Sequence, residues 1–324
     1  MSNQVTSEVL AQGKIVREPV GDEKGYWVGC PAVTWDETDQ AVYLCYRIRR
    51  PRGVQPDRGG EVRICKSTDF ENYEDVWTMT KDQLNTASIE RNVVQRGPDG
   101  NWRYFSSYVD PEDGRWQTSV IKGTANIAEL DPANMKPLFK AGDLGLEGVK
   151  DPWLMKIGDT WHMILSVAVA TSNTADGSHE TNDIFNTGEC VSASAIATSK
   201  DLDNWEWQGV VFKPEGEGWD QYCRRINSII EKNGQYYAFY DGSAGHHENY
   251  EEKCAFAVSS DLKSWKSLSP DGPALTSPYA SASLRYMDYL QHNGKLHLFY
   301  EFAREDGAHN LRTHQCALED LPFG

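Results

Sequence analysis

Four carboxylates, Glu90, Asp151, Asp241 and Glu301, stand at the ends of apolar, aromatic-rich runs of the chain. Basic side chains stand near them: Arg47, Arg91, Arg225 and Arg285. Tyr286 follows Arg285 directly, and His246 and His247 lie shortly beyond Asp241. Charge at both ends of apolar strands is not what a plain scaffold requires, because partly desolvated charges persist when they are paired or used. One reading is a structural network of Arg with Asp and Glu. The other is a site in which carboxylates move protons while guanidinium groups hold an anionic part of a ligand.

The elements that position these residues follow from two repeated phrases. The first is an apolar run, a turn and an aromatic run: PAVTWDETDQAVYLCYR, NVVQRGPDGNWRYFSSY, PWLMKIGDTWHMILS, NSIIEKNGQYYAFYDG and MDYLQHNGKLHLFYE. Their turns hold Asp99-Gly100, Gly158-Asp159, Asn233-Gly234 and Asn293-Gly294, and such pairs between apolar runs mark tight hairpins. The second phrase is Ser-x-Asp-Leu/Phe-x-x-Trp/Tyr, at Ser67–Tyr73, Ser199–Trp205 and Ser259–Trp265. The last two copies are 60 residues apart, and SVIKGTANIAEL fits a degenerate copy in the longer gap between the first two. Each Asp of this phrase is expected to bond backbone N–H groups in a turn.

Five hairpins, each followed by another β-rich stretch, predict an all-β, five-bladed β-propeller with four antiparallel strands per blade. Residues 1–324 read as one such catalytic domain, without a linker. A β-sandwich is the alternative, but sandwiches rarely repeat one hairpin phrase five times. With each hairpin starting near the axis, the four carboxylates and the arginines collect at one mouth. Arg91, Arg225 and Arg285 each stand nine residues before a turn glycine and read as equivalent. Such cations suit a uronate, a sulfated sugar or inorganic phosphate. The polar insertion at 171–189 reads as a mobile loop or a lid over the axis.

The formal net charge of −16 argues against nucleic acid and anionic membrane surfaces as partners. The first ten residues show no basic start and no apolar run, so the expected location is cytoplasmic, with a removed signal left open. Seven cysteines without a Cys-x-x-Cys pair read as buried, reduced thiols. No tight His/Asp spacing specifies a metal, and no cofactor is expected; a divalent cation at the axis stays open. The 11 Trp and 15 Tyr suit strand packing first and sugar platforms second.

The chain resembles the five-bladed propeller glycoside hydrolases of families 43, 62, 117 and 130. Asp151-Pro152 before WLMKIGDTWHMIL resembles the start of one of their blades. CPAVTWDETDQAVYLCYRIRR running into EVRICKSTDF resembles the first blade of family 130, and SIERNVVQ lies where that family has the blade bearing its catalytic acid. The departures are specific. Cys30-Pro31 stands where family 43 has its general-base Asp, and Arg224-Arg225 stands where that family has its general-acid Glu. Asp151 matches the place of the third family 43 carboxylate, and Glu90 is a looser match to the family 130 acid.

The resemblance implies a glycosidase acting on an oligosaccharide through a carboxylate acid and a carboxylate base or nucleophile. Glu90 or Asp151 is expected as the acid, and Glu301 or Asp241 as the base or nucleophile. Arg47, Arg91, Arg225, Arg285, Tyr286, His246 and His247 are the expected substrate-binding groups. A phosphate-dependent phosphorylase, a carbohydrate-binding propeller without catalysis, and a polysaccharide lyase using Tyr286 or a histidine as base remain the alternatives. The sugar, the linkage, the stereochemical outcome and the oligomeric state are left open.

Overall fold

A computed structural model describes residues 4–323. A short strand, β1 (Lys14–Arg17), precedes the first full hairpin. Next come β2 (Trp27–Asp36), β3 (Ala41–Arg50), β4 (Arg58–Ser67) and β5 (Glu74–Thr80), each antiparallel to its neighbour. The second such group is β6 (Ile89–Arg96), β7 (Trp102–Val109), β8 (Trp116–Thr124) and β9 (Lys136–Phe139). The third is β10 (Gly148–Ile157), β11 (Thr160–Ala170), β12 (Cys190–Ser199) and β13 (Trp205–Phe212). The fourth is β14 (Cys223–Lys232), β15 (Gln235–Ser243), β16 (Lys253–Ser259) and β17 (Lys266–Ser267). The fifth is β18 (Leu284–His292), β19 (Lys295–Ala303) and β20 (His309–Cys316), completed by β1 from the other end of the chain. These are five four-stranded blades, as the repeats predict, and β1 closes the ring.

Single parallel bridges link the third strand of one blade to the first strand of the next: Ser192 with Cys223, Lys253 with Leu284, and His309 with Trp27. First strands therefore line the axis. The hairpins turn where the sequence marks them: Asn233 and Gly234, like Asn293 and Gly294, take positive φ, the conformation that tight hairpins require. The Ser-x-Asp phrases sit between third and fourth strands. In each, the Asp accepts two backbone N–H groups at 2.8–2.9 Å, as Asp69 does from Glu71 and Asn72, Asp201 from Asp203 and Asn204, and Asp261 from Lys263 and Ser264. The fifth blade has no copy, because its fourth strand comes from the N-terminus.

Most large aromatic side chains pack between blades. Trp102 meets Tyr43 edge-on at 4.8 Å, Trp77 meets Tyr104 at 4.9 Å, and Trp207 meets Phe139 at 5.3 Å. All seven cysteines are buried and unpaired. Among the described residues no helix is long and apolar enough to cross a membrane.

Candidate active site

Each axial strand carries a bulge at the same height. The register breaks between Gly29 and Ala32, Ile89 and Asn92, Lys150 and Trp153, Ile226 and Ser228, and Arg285 and Asp288. Just before the break, Gly29, Ile89, Lys150 and Arg285 face Arg47, Tyr108, Ser166 and Glu301 on the second strands, and one pair before the break in the fourth blade Arg225 faces Asp241. One residue further on stand Cys30, Glu90, Asp151, Ile226 and Tyr286. A bulge re-aims the side chains beside it, which suits the rim of an axis. Three of these five residues hold positive φ: Cys30 at 56°, Asp151 at 59° and Tyr286 at 54°.

Polar atoms of Cys30, Glu90 and Asp151 lie within 4.8 Å of one another, and all three residues are buried. Arg47 donates to Glu90 Oε2 at 2.5 Å. Burial pushes the Glu90 carboxyl up, but Arg47, helped by Lys150, Arg49 and Arg285, outweighs it and holds the group at about 2. Glu90 is therefore ionised at neutral pH. Asp151 differs: its N–H donates to Ser107 Oγ at 2.7 Å, while neither buried carboxylate oxygen has a hydrogen-bond partner. The Lys150 ammonium is 3.7 Å from Asp151 Oδ2. Burial raises the Cys30 thiol well above its ordinary value.

A series of ion pairs borders this cluster. Arg47 reaches Glu301 at 3.1 Å, and Arg285 bonds Glu301 at 2.7 and 2.9 Å. Arg285 also bonds Glu252 at 2.7 Å, and Arg225 pairs with the other Glu252 oxygen. His309 Nδ1 lies 2.7 Å from Glu301, and its ring stacks on Trp27. Burial opposes the ionised form of Glu301, yet Arg285 and Arg47 hold its carboxyl far below the ordinary range. Asp241 lies beneath the bulge and accepts the Tyr286 N–H at 3.1 Å. Burial, only partly offset by Arg225, raises Asp241 to about 6. Burial with Asp151 nearby drives the Tyr286 phenol well above its ordinary value, so it is a poor base at neutral pH.

The structure brings Glu90, Asp151, Glu301, Arg47, Arg225, Arg285 and Tyr286 to the axis. Asp241 is there too, as a support for the Tyr286 backbone. Arg91 does not share the register of Arg225 and Arg285. The turn of its hairpin spans residues 97–101, whereas the fourth and fifth blades turn on two residues, so counting from the turn glycine misplaces it. Arg91 is fully buried, donates to the carbonyls of Pro31 and Asn227, and lies 3.5 Å from Asp288. His246 and His247 are exposed on a turn after β15, with the His246 ring beside Gly188 of the 171–189 insertion.

Glu252, His309, Trp27 and Asp288 join the axis without having been singled out from the sequence. Glu252 precedes the third strand of its blade, and the hairpin pattern marks only the first two. Arg49 lies nearby. It stacks on Trp27 and Tyr250 at 4.8 and 4.6 Å and forms no ion pair among the described residues. Lys150 lies over the rings of Trp116 and Phe185 at 4.9 and 4.7 Å.

Phe185 belongs to the 171–189 insertion, which folds onto the mouth. Its carbonyl accepts from Tyr222 and Asn249, Arg52 donates to Asp183 at 2.6 Å, and the Tyr250 hydroxyl bonds Asp183 as well. A hollow of about 630 Å³ lies against it, lined in part by Arg52, Asp183, Glu189 and Tyr250. Glu90 is 5% and Asp151 3% exposed.

No family model and no curated protein matches the chain. Solved structures do. A GH43_1 enzyme from Xanthomonas citri superposes with TM-score 0.60 at 12% identity, over 98% of this chain and 97% of its own. The endo-arabinase of Bacteroides thetaiotaomicron gives 0.57 at 13%, over 93% and 98%. BT0996, in its RGII complex, gives 0.63 at 14%, over 95% and 93%. At such identities the likeness establishes architecture: this chain has the five-bladed propeller fold found in those glycoside hydrolases.

Proposed function

We propose that the protein is a glycoside hydrolase that cleaves an oligosaccharide at the axial mouth, with Glu90 and Asp151 as its carboxylate pair. The observation that carries this reading is the pair itself, set at equivalent bulges of neighbouring blades with oxygens no more than 4.8 Å apart. Glu90, held ionised by Arg47, serves as base or nucleophile. Asp151, whose oxygens have no competing donor, serves as the acid at the leaving oxygen. The close spacing favours the retaining geometry, in which carboxyl groups stand about 5–5.5 Å apart and no water separates them. Glu301 is saturated by Arg47, Arg285 and His309, and acts by fixing the arginine that fixes Glu90. The likeness to the xylotriose complex of the Xanthomonas citri enzyme and to the RGII complex of BT0996 supports a carbohydrate substrate.

An anionic sugar is the second part of the proposal. Arg225 and Arg285 are neutralised by Glu252 and Glu301, so the charge on offer comes from Arg49 and Lys150 at the rim. Both stand beside aromatic faces, a setting for a uronate carboxylate or a sulfate. A carbohydrate-binding propeller without catalysis is the second reading; Cys30 and Ile226 at two of the five bulges favour it. A reducing-end assay over neutral and uronate-bearing oligosaccharides, with and without phosphate, separates the two. Cleavage that falls about 100-fold or more in both Glu90→Gln and Asp151→Asn, with binding retained, supports the hydrolase. Binding without cleavage of any substrate sinks it.

A further inference from the structure

Beyond glycoside cleavage, and independently of it, the cluster of Cys30, Glu90 and Asp151 has the make-up of a metal site. We propose that Cys30 Sγ and one oxygen each of Glu90 and Asp151 bind a thiophilic divalent cation of the zinc type. The three donor atoms lie within 4.8 Å of one another. The Asp151 carboxylate supplies the second, independent observation. It is 3% exposed, both oxygens are buried without a hydrogen-bond partner, and Lys150 at 3.7 Å stands outside hydrogen-bond range. A buried carboxylate left so open is costly unless something binds it.

The donor set selects the ion. One sulfur with two carboxylate oxygens suits zinc and disfavours calcium and magnesium, which take oxygen ligands. Bonds of about 2.3 Å to sulfur and about 2.0–2.2 Å to oxygen place tetrahedral donors roughly 3.3–3.7 Å apart, so the side chains close in by about 1 Å. The supports for that geometry are present. Arg47 already holds Glu90 Oε2, which leaves the other oxygen to turn toward the ion, and Ser107 holds the Asp151 backbone. Three protein ligands leave a fourth position open for water. On binding, the S–H bond of Cys30 breaks, the sulfur lone pair forms the metal bond, and the proton leaves to solvent. An ion seated there occupies both carboxylates assigned to catalysis, so it blocks the reaction.

Cobalt(II) titration of reduced, chelator-treated protein tests this without any sugar. The expected result is one cobalt per protein molecule, with a near-ultraviolet thiolate-to-cobalt band that zinc displaces. The band is lost in Cys30→Ser and kept in Cys45→Ala, another buried thiol. If Cys30→Ser fails to fold, Asp151→Asn, checked by circular dichroism, is expected to bind cobalt about 10-fold or more weakly. Absence of the band in the wild type, its survival in folded Cys30→Ser, or unchanged cobalt affinity in folded Asp151→Asn each overturns the proposal. Neither result depends on whether the protein cleaves a sugar.

Discussion

Replacing Arg47 with methionine keeps most of the side chain's volume and removes the cation shared by Glu90 and Glu301. Both carboxylates are then left buried with a main partner gone, and breaking a buried ion pair costs about 3–5 kcal/mol. The size can be checked from Glu90 alone. Its carboxyl sits at about 2 because Arg47 leads the attractions that outweigh burial; without Arg47, burial carries it up toward the ordinary 4.5. At about 1.4 kcal/mol per pH unit, a full return to 4.5 is worth about 3.5 kcal/mol at neutral pH. In the wild type the depressed group gives stability that is present above pH 4.5 and lost as pH falls toward 2. In the variant that contribution shrinks as the carboxyl moves back toward its ordinary value. The stability difference between the proteins, from urea unfolding, should therefore be small near pH 2 and grow as pH rises through about 4.5. A difference that stays constant with pH, or falls below about 1 kcal/mol at neutrality, refutes the claim that Arg47 holds these carboxylates ionised.

Arg49→Met and Lys150→Met should raise KM for a uronate-bearing substrate by about 10-fold or more, the worth of one charge-assisted hydrogen bond, with little change for a neutral analogue. Equal losses on both substrates in steady-state kinetics would make the two cations scaffold. Asp261→Ala should lower the melting temperature without altering the specific activity of folded protein, because Asp261 bonds only the turn at Ser259–Ser264. The backbone N–H groups of Ser264 and Lys263 hold its carboxyl down, so the loss should be largest near neutrality and fade as pH falls below about 4. Asp183→Ala removes the partner of Arg52 and Tyr250 and should speed hydrogen exchange across residues 171–189. Unchanged protection there would show that the insertion is held by its other contacts, at Phe185, at His179 with Glu147 and at the Asn182 carbonyl with Arg58.

The hairpins were legible because Asn-Gly and Asp-Gly pairs announce tight turns, and because every second strand ends in a residue facing the axis. Arg47, Tyr108, Ser166, Asp241 and Glu301, read as strand-end residues, share one register in the structure. What stayed hidden is non-local. KIVR at 14–17 is four residues long and half exposed, and it becomes a strand only by pairing with residues nearly 300 positions away. Glu252 follows a loop, so no periodicity links it to Arg225 and Arg285. The bulges change which side chain meets the axis by one residue, a difference no alternation pattern registers.

Those bulges also say where the fold stores strain. Cys30, Asp151 and Tyr286 take left-handed φ at equivalent places in three blades, although none is glycine. Such conformations cost about 1–3 kcal/mol each and persist when the surroundings over-determine them. The surroundings do so here. Ser107 takes the Asp151 N–H, Asp241 takes the Tyr286 N–H, and Arg91 bonds the carbonyl of Pro31, next to Cys30. Below them Asp288 ties Val33, Trp153 and Tyr289 together at 2.8 Å. Glycine would relieve the strain at all three places but would leave the axis without a thiol, a carboxylate and a phenol. The buried polar residues under the bulges are therefore best understood as a fixed frame, and the side chains the bulges present are the variable part. Cys30, Ile226 and Tyr286 are where this protein differs from a propeller with a carboxylate at every such place.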